Sequence, residues 1–86
     1  MYIQHKMKGV YIMIDLKKLV GSKVRIVDID DITYEGIVDE YIDAEDNVPE
    51  EIEAIILTDL LRLDDGEKFS NPIEFKATEI ISVYSI

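Results

Sequence analysis

With 86 residues, 48% of them hydrophobic, the chain has apolar material for one domain with a modest core, and too much for a disordered tail. Nineteen acidic against nine basic residues give a net charge of −10, which repels nucleic acid and anionic membrane at long range and favours basic partners. There is no cysteine, so disulfides, thiolate metal sites and cysteine nucleophiles are excluded. No apolar run reaches the length of a membrane span and no secretory signal pattern is present, so a cytoplasmic location is the expectation.

Residues 1–12, MYIQHKMKGVYI, carry Lys6 and Lys8 and no acid. The remaining chain has seven basic and nineteen acidic residues, net −12. The codons for Lys8-Gly9-Val10 can spell a bacterial ribosome-binding sequence shortly before Met13. The expected division is therefore an N-terminal extension over 1–12, read as a translated leader, and a domain over 13–86. The alternative is an extra edge strand over Gly9 to Ile14. His5 is the single histidine and has no second ligand in sight, so it marks neither a metal nor a catalytic site.

Asp15 to Val20 has the pattern of a short helix: Asp15 as N-cap, Leu16, Leu19 and Val20 on one face, and Gly21 as the stop. Lys17 and Lys18 lie on the other face. With Lys23 and Arg25 they form the domain's basic cluster, a candidate phosphate contact whose plainer reading is a solvated face.

Lys23 to Asn47 reads as an antiparallel hairpin. Val24, Ile26 and Ile29 supply the first strand; Tyr34, Ile37, Val38, Tyr41 and Ile42 supply a long second strand. Asp30-Asp31 forms the turn, since Asp tolerates a left-handed backbone. Gly36, inside the second strand, marks a bend, a bulge or a close backbone approach. Asp43 to Glu51 is a turn-rich acidic loop. It loosely resembles a calcium loop but has Val48 where glycine is needed and Ala54 where the bidentate glutamate belongs, so no metal is assigned.

Glu51 to Leu61 reads as a third strand, apolar on both faces at Ile55-Ile56-Leu57. Asp64-Asp65-Gly66 signals a turn within a long, mobile 58–72 loop. Ile73-Glu74-Phe75 is a short fourth strand, Lys76 to Glu79 a tight connection, and Ile80 to Ile86 the fifth strand. The fold class is thus mainly β: a short N-terminal helix and a five-stranded, strongly bent antiparallel small barrel.

This order resembles the Sm-like small β-barrels over residues 15–86, most closely a group of short acidic bacterial proteins of uncharacterised role. The resemblance rests on Val24-Arg25-Ile26, on Tyr34-Glu35-Gly36 as the aromatic-x-glycine pattern of strand two, on Asp43 and Asn47 after it, and on Glu79-Ile80-Ile81-Ser82-Val83. It implies rings built by pairing the fourth strand of one subunit with the fifth of the next, and single-stranded RNA bound at loops lining the pore. The implied RNA residues are Asp43, Asn47, Lys76 and Tyr41. Asp43 and Asn47 stand four apart rather than the family's three, and Lys76-Ala77 replaces the family's Arg-Gly, losing a planar guanidinium. The expected function is a non-enzymatic, homo-oligomeric assembly module that can meet a basic protein partner, with RNA binding as the alternative. No cofactor is implied, and no acid–base pair can be assigned from sequence.

Overall fold

Alternation of apolar and polar residues from Lys23 onward puts every second side chain on one face, and the chain folds accordingly. The computed structural model describes residues 2–7 and 10–86, with side chains from Asp15 onward. Its strands are β1 (Tyr2–Met7), β2 (Val10–Asp15), β3 (Lys23–Asp28), β4 (Thr33–Ile42), β5 (Ala54–Arg62), β6 (Ile73–Lys76) and β7 (Ile80–Ser85). β1 and β2 form a separate two-stranded antiparallel sheet. β2 runs across the expected boundary at residue 12, and Lys8 and Gly9 lie outside the described residues. The other five strands make one sheet in the order β6-β5-β4-β3-β7, antiparallel throughout.

The core sits on one face of this sheet. Leu16, Val24, Ile26, Val38, Ile55, Leu57, Leu60, Phe75, Ile80 and Val83 form a single buried cluster. Asp15 to Val20 makes a short 3-10 turn over Leu16–Leu19 in place of the expected helix. Asp15 caps it as expected, its carboxylate accepting from the Lys17 N–H at 3.2 Å. Leu16 is fully buried and Leu19 packs beside it, but Val20 is exposed. One turn is enough to seal the core, and Gly21, at φ +88°, then swings the chain into β3.

The hairpin turn closes one residue earlier than the apolar pattern implied. The Asp28 carboxylate accepts from the Asp30 and Ile32 N–H groups at 2.9 and 3.0 Å, so Ile29 falls in the turn and is exposed. Asp31 takes the left-handed conformation, φ +63°. Along β4 the ladder to β5 shifts register between Glu35 and Ile37 and again between Val38 and Glu40. Such bulges bend a strand and increase its twist. Gly36 sits at the first of them, and its role is close approach rather than an unusual dihedral. A Cβ there would lie 3.1 Å from the Thr58 carbonyl oxygen, 3.1 Å from Leu60 Cδ1 and 3.2 Å from Leu57 Cδ2.

The sheet is bent but not closed. β6 is hydrogen-bonded only to β5 and β7 only to β3, so the expected barrel is an open sheet with two free edges among the described residues. β1 comes near β7 and the 3-10 turn Ala77–Glu79 without forming a ladder to either. The 58–72 loop is shorter and better anchored than the sequence suggested. β5 continues to Arg62, Gly66 (φ +75°) completes the turn, and Phe69 donates its N–H to the Leu60 carbonyl at 2.9 Å and packs on the core.

The contacts at Gly36 generate a prediction. Gly36→Val should lower stability by about 3 kcal/mol, because a branched side chain must displace the β5 backbone and two core leucines. A denaturant melt matching the parent would show that β4 and β5 do not approach this closely.

Candidate functional site at the 43–53 loop

β4 ends at Ile42 and hands the chain to a loop that is held against β6 by side chains as well as backbone. Asp43 precedes a 3-10 turn over Ala44–Asp46, and Asn47 closes it with its N–H on the Ala44 carbonyl at 3.2 Å. The Asn47 amide then donates twice, to the Ile52 carbonyl at 2.9 Å and to the Glu74 carboxylate at 3.0 Å. Lys76 reaches the Glu50 carboxylate at 3.3 Å, and the Ala77 N–H donates to the Glu53 carbonyl at 2.8 Å. Asp43, Asn47 and Lys76 thus come from two separate segments to one end of the sheet. The hydrogen bonds of Glu50 with its own backbone and with Lys76 hold its carboxyl below the usual range.

The arrangement commits the groups that RNA recognition would use. The Asn47 N–H donors face the loop and Glu74, and the Lys76 ammonium faces Glu50. Asp43, Glu45, Asp46, Glu50, Glu51 and Glu53 crowd the same loop, a field that opposes phosphate. Tyr41 is half-buried against the core rather than presented for stacking. Burial raises its phenol to about 12, with Glu53, Asp43 and Asp15 adding to the shift.

Arg25 grips the Glu35 carboxylate through Nε at 2.9 Å and through Nη2, and its Nη1 lies 3.4 Å from the Tyr84 hydroxyl. The hydrogen bond to Glu35 is the main reason its guanidinium is held above its ordinary value. Glu35 lies eight positions before Asp43, a contour of roughly 26 Å along β4 at the usual rise per residue. Lys23 lines a cavity of about 380 Å³ with Glu35, Asp59, Leu60, Leu61, Lys68 and Phe69. Lys17 and Lys18 are exposed on the 3-10 turn after Asp15.

Sequence reasoning missed Glu53. Its side chain is fully buried, and among the described residues neither carboxylate oxygen has a hydrogen-bond partner. Burial raises its pKa, and the Asp15 and Asp43 carboxylates add to the shift. The available signal was a lone acid flanked by Ile52 and Ala54 at the entrance to an apolar strand. A second concave feature, of about 230 Å³, lies between β6 and the 28–30 turn and is lined in part by Glu74, the residue that accepts from the loop's Asn47.

Compared with known proteins, the chain matches no family model and no curated relative. No helix among the described residues is long and apolar enough to cross a membrane.

Glu53 makes stability depend on pH in a defined direction. Its folded pKa lies above its unfolded value, so its contribution is fully present below about pH 4.3 and is lost as pH rises through the raised value. Glu53→Gln removes that loss, and the variant should be the more stable at pH 7, by on the order of 1 kcal/mol or more. The gap between the two melts should close toward pH 4. A constant gap across the range would mean that burial does not raise the Glu53 pKa.

Proposed function

We propose that the protein is a non-enzymatic assembly module that forms homo-oligomers through the two open edges of its five-stranded sheet. The observation that carries this reading is the chemistry of β7. Ile80 to Ile86 contains no charge and no proline, in a chain whose charged residues make up 33%. Solvent-facing edges are ordinarily protected by lysine, proline or bulges, and of these β7 has only the register shift opposite Val27–Asp28. The Ile86 N–H donates to the Lys23 carbonyl at 2.9 Å, toward β3. By alternation the backbone groups of Val83 and Ser85 point to the open side.

β6 offers the complement. The Ala77 N–H points toward β5, so the N–H groups of Glu74 and Lys76 point outward. That of Lys76 is taken by the Glu79 carboxylate at 2.8 Å, which leaves Glu74. A head-to-tail contact of β6 with the β7 of another copy satisfies both edges and closes as a ring if the rotation permits. The strand order supports the Sm-like resemblance, because the strands corresponding to its fourth and fifth are the ones left at the edges. Closure into a barrel-like unit belongs to the same proposal and is completed by the neighbouring copy.

Single-stranded RNA held at the pore of such a ring is a second reading. One observation favours it, the convergence of Asp43, Asn47 and Lys76 at one end of the sheet. The committed donors and the surrounding carboxylates place it behind self-assembly.

Light scattering coupled to size exclusion tests the first reading on the full chain. The expected mass is a multiple of 9.9 kDa. Ser85→Pro removes an outward N–H without touching the ladder to β3, and should weaken association about tenfold while leaving the melt near that of the parent. A monomer at every concentration up to several hundred micromolar would overturn the proposal.

A further inference from the structure

The groove between β6 and the 28–30 turn combines two features that point to a ligand outside the self-assembly reading. Its floor is aromatic and aliphatic: Tyr34, Leu60, Phe69, Ile73 and Phe75. The Tyr34 ring meets Phe75 edge-on at 5.3 Å between centroids and Phe69 at 6.3 Å. Its lining includes four carboxylates, the buried Asp28 and, at the rim, the exposed Asp30, Glu74 and Glu79, and no lysine or arginine.

Three of these carboxylates are held in place by hydrogen bonds, and none of the four is in an ion pair among the described residues. Asp28 is fixed by the Asp30 and Ile32 N–H groups, Glu74 by the Asn47 amide, and Glu79 by the Lys76 N–H. The Ile29 N–H donates to the Glu79 carbonyl at 3.0 Å, which ties the turn to the 77–79 segment across the end of the groove. Ion pairs among the described residues go elsewhere: Arg25 to Glu35, Arg62 to Asp64 and Asp65, and Lys76 to Glu50. Burial, then the nearby Asp28 carboxylate, pushes the Tyr34 phenol up, so it stays a neutral ring with a polar tip.

We propose that this groove docks an arginine-bearing segment of a basic protein partner, with one guanidinium over the Tyr34–Phe69–Phe75 cluster and between the Asp28–Asp30 and Glu74–Glu79 carboxylates. Charge complementarity selects the sign of the partner, and the floor selects the group. A guanidinium stacks on aromatic rings and bonds carboxylates in pairs, whereas an ammonium is more strongly hydrated and makes poorer use of the floor. Size favours a side chain over a free small molecule. The groove holds about 230 Å³, below the roughly 300–1,000 Å³ of small-molecule pockets. Four carboxylates around one cation leave negative charge for further basic residues along the same segment.

The test is fluorescence anisotropy of a labelled nine-residue peptide with arginines alternating with serines, titrated with the full chain. A lysine-for-arginine peptide and N-acetyl-arginine amide serve as comparisons. The paired change Asp30→Asn with Glu74→Gln keeps the local hydrogen-bond acceptors and removes two rim charges. Asp39→Asn with Glu40→Gln changes net charge equally on the exposed face of β4. Saturable binding of the arginine peptide is expected, weakened about tenfold by the rim pair, less than about threefold by the β4 pair, and weaker for the lysine peptide. Phe69→Leu should erase the preference for arginine over lysine.

Equal losses from the two double variants would mean that only net charge matters, and would overturn the site. So would the absence of saturable binding at millimolar protein. N-acetyl-arginine amide binding as tightly as the peptide would overturn the partner in favour of a small cation. A fall in solution mass caused by the rim pair, with peptide binding unchanged, would assign the groove to a second copy of this chain.

Discussion

Between β4 and β5 at Gly36 a side chain would be cramped. A Cβ there would stand 3.1–3.2 Å from the Thr58 carbonyl oxygen and the ends of Leu57 and Leu60, so these neighbours would have to give way. That approach, together with the two register shifts that flank it, bends β4, so that one sheet of five strands folds over a core it could not cover if flat. Leu16 on the 3-10 turn closes the open side of the core. The consequence for function is geometric. A sheet bent in this way, but ending at β6 and β7 without joining them, keeps a single core and offers two free strand edges.

Charge is distributed so that these edges differ from the rest of the surface. Acids concentrate in the 43–53 loop, in the 28–31 turn and after Arg62, whereas the last seven residues carry none. A net charge of −10 favours solubility and opposes nucleic acid at a distance. The uncharged edge invites strand pairing. The acidic groove beside β6 is a different kind of surface, in which charge is aimed at an aromatic floor instead of at water. On the two proposals made above, one small domain meets its own copies through backbone and a basic partner through side chains.

The strands were legible because their determinants are local. Alternation from Val24 to Ile26, the continuous apolar run Ile55-Ile56-Leu57, the Asp-Asp and Asp-Asp-Gly turns, and a glycine inside an apolar strand each announce themselves within a few residues. The misreadings have local causes too. Ile29 looked like strand because the Asp28 side-chain bonds that end β3 leave no hydrophobic trace. Val20 looked buried because helical spacing was assumed for four residues that wind as a 3-10 turn. Phe69 stood among polar residues and passed for loop, although its ring joins the core; an aromatic isolated in a polar stretch was the available hint. The candidate site was legible only as a set of names. That Asn47 spends its amide on Glu74, and Lys76 its ammonium on Glu50, depends on residues 26 to 27 positions away along the chain. Closure of the sheet was equally out of reach, since no residue type encodes whether two distant edges pair with each other or with another copy.

The most direct test of edge-mediated assembly is amide hydrogen exchange at Glu74, Val83 and Ser85, followed as protein concentration is raised. These N–H groups point away from their own sheet and have no partner within the ladder. Assembly through β6 and β7 predicts fast exchange in dilute protein and marked slowing of these amides as oligomers form, while amides already paired between β3 and β4 change little. If the particle grows in mass while these amides continue to exchange at the dilute rate, the copies meet through another surface, and the account of the open edges is wrong.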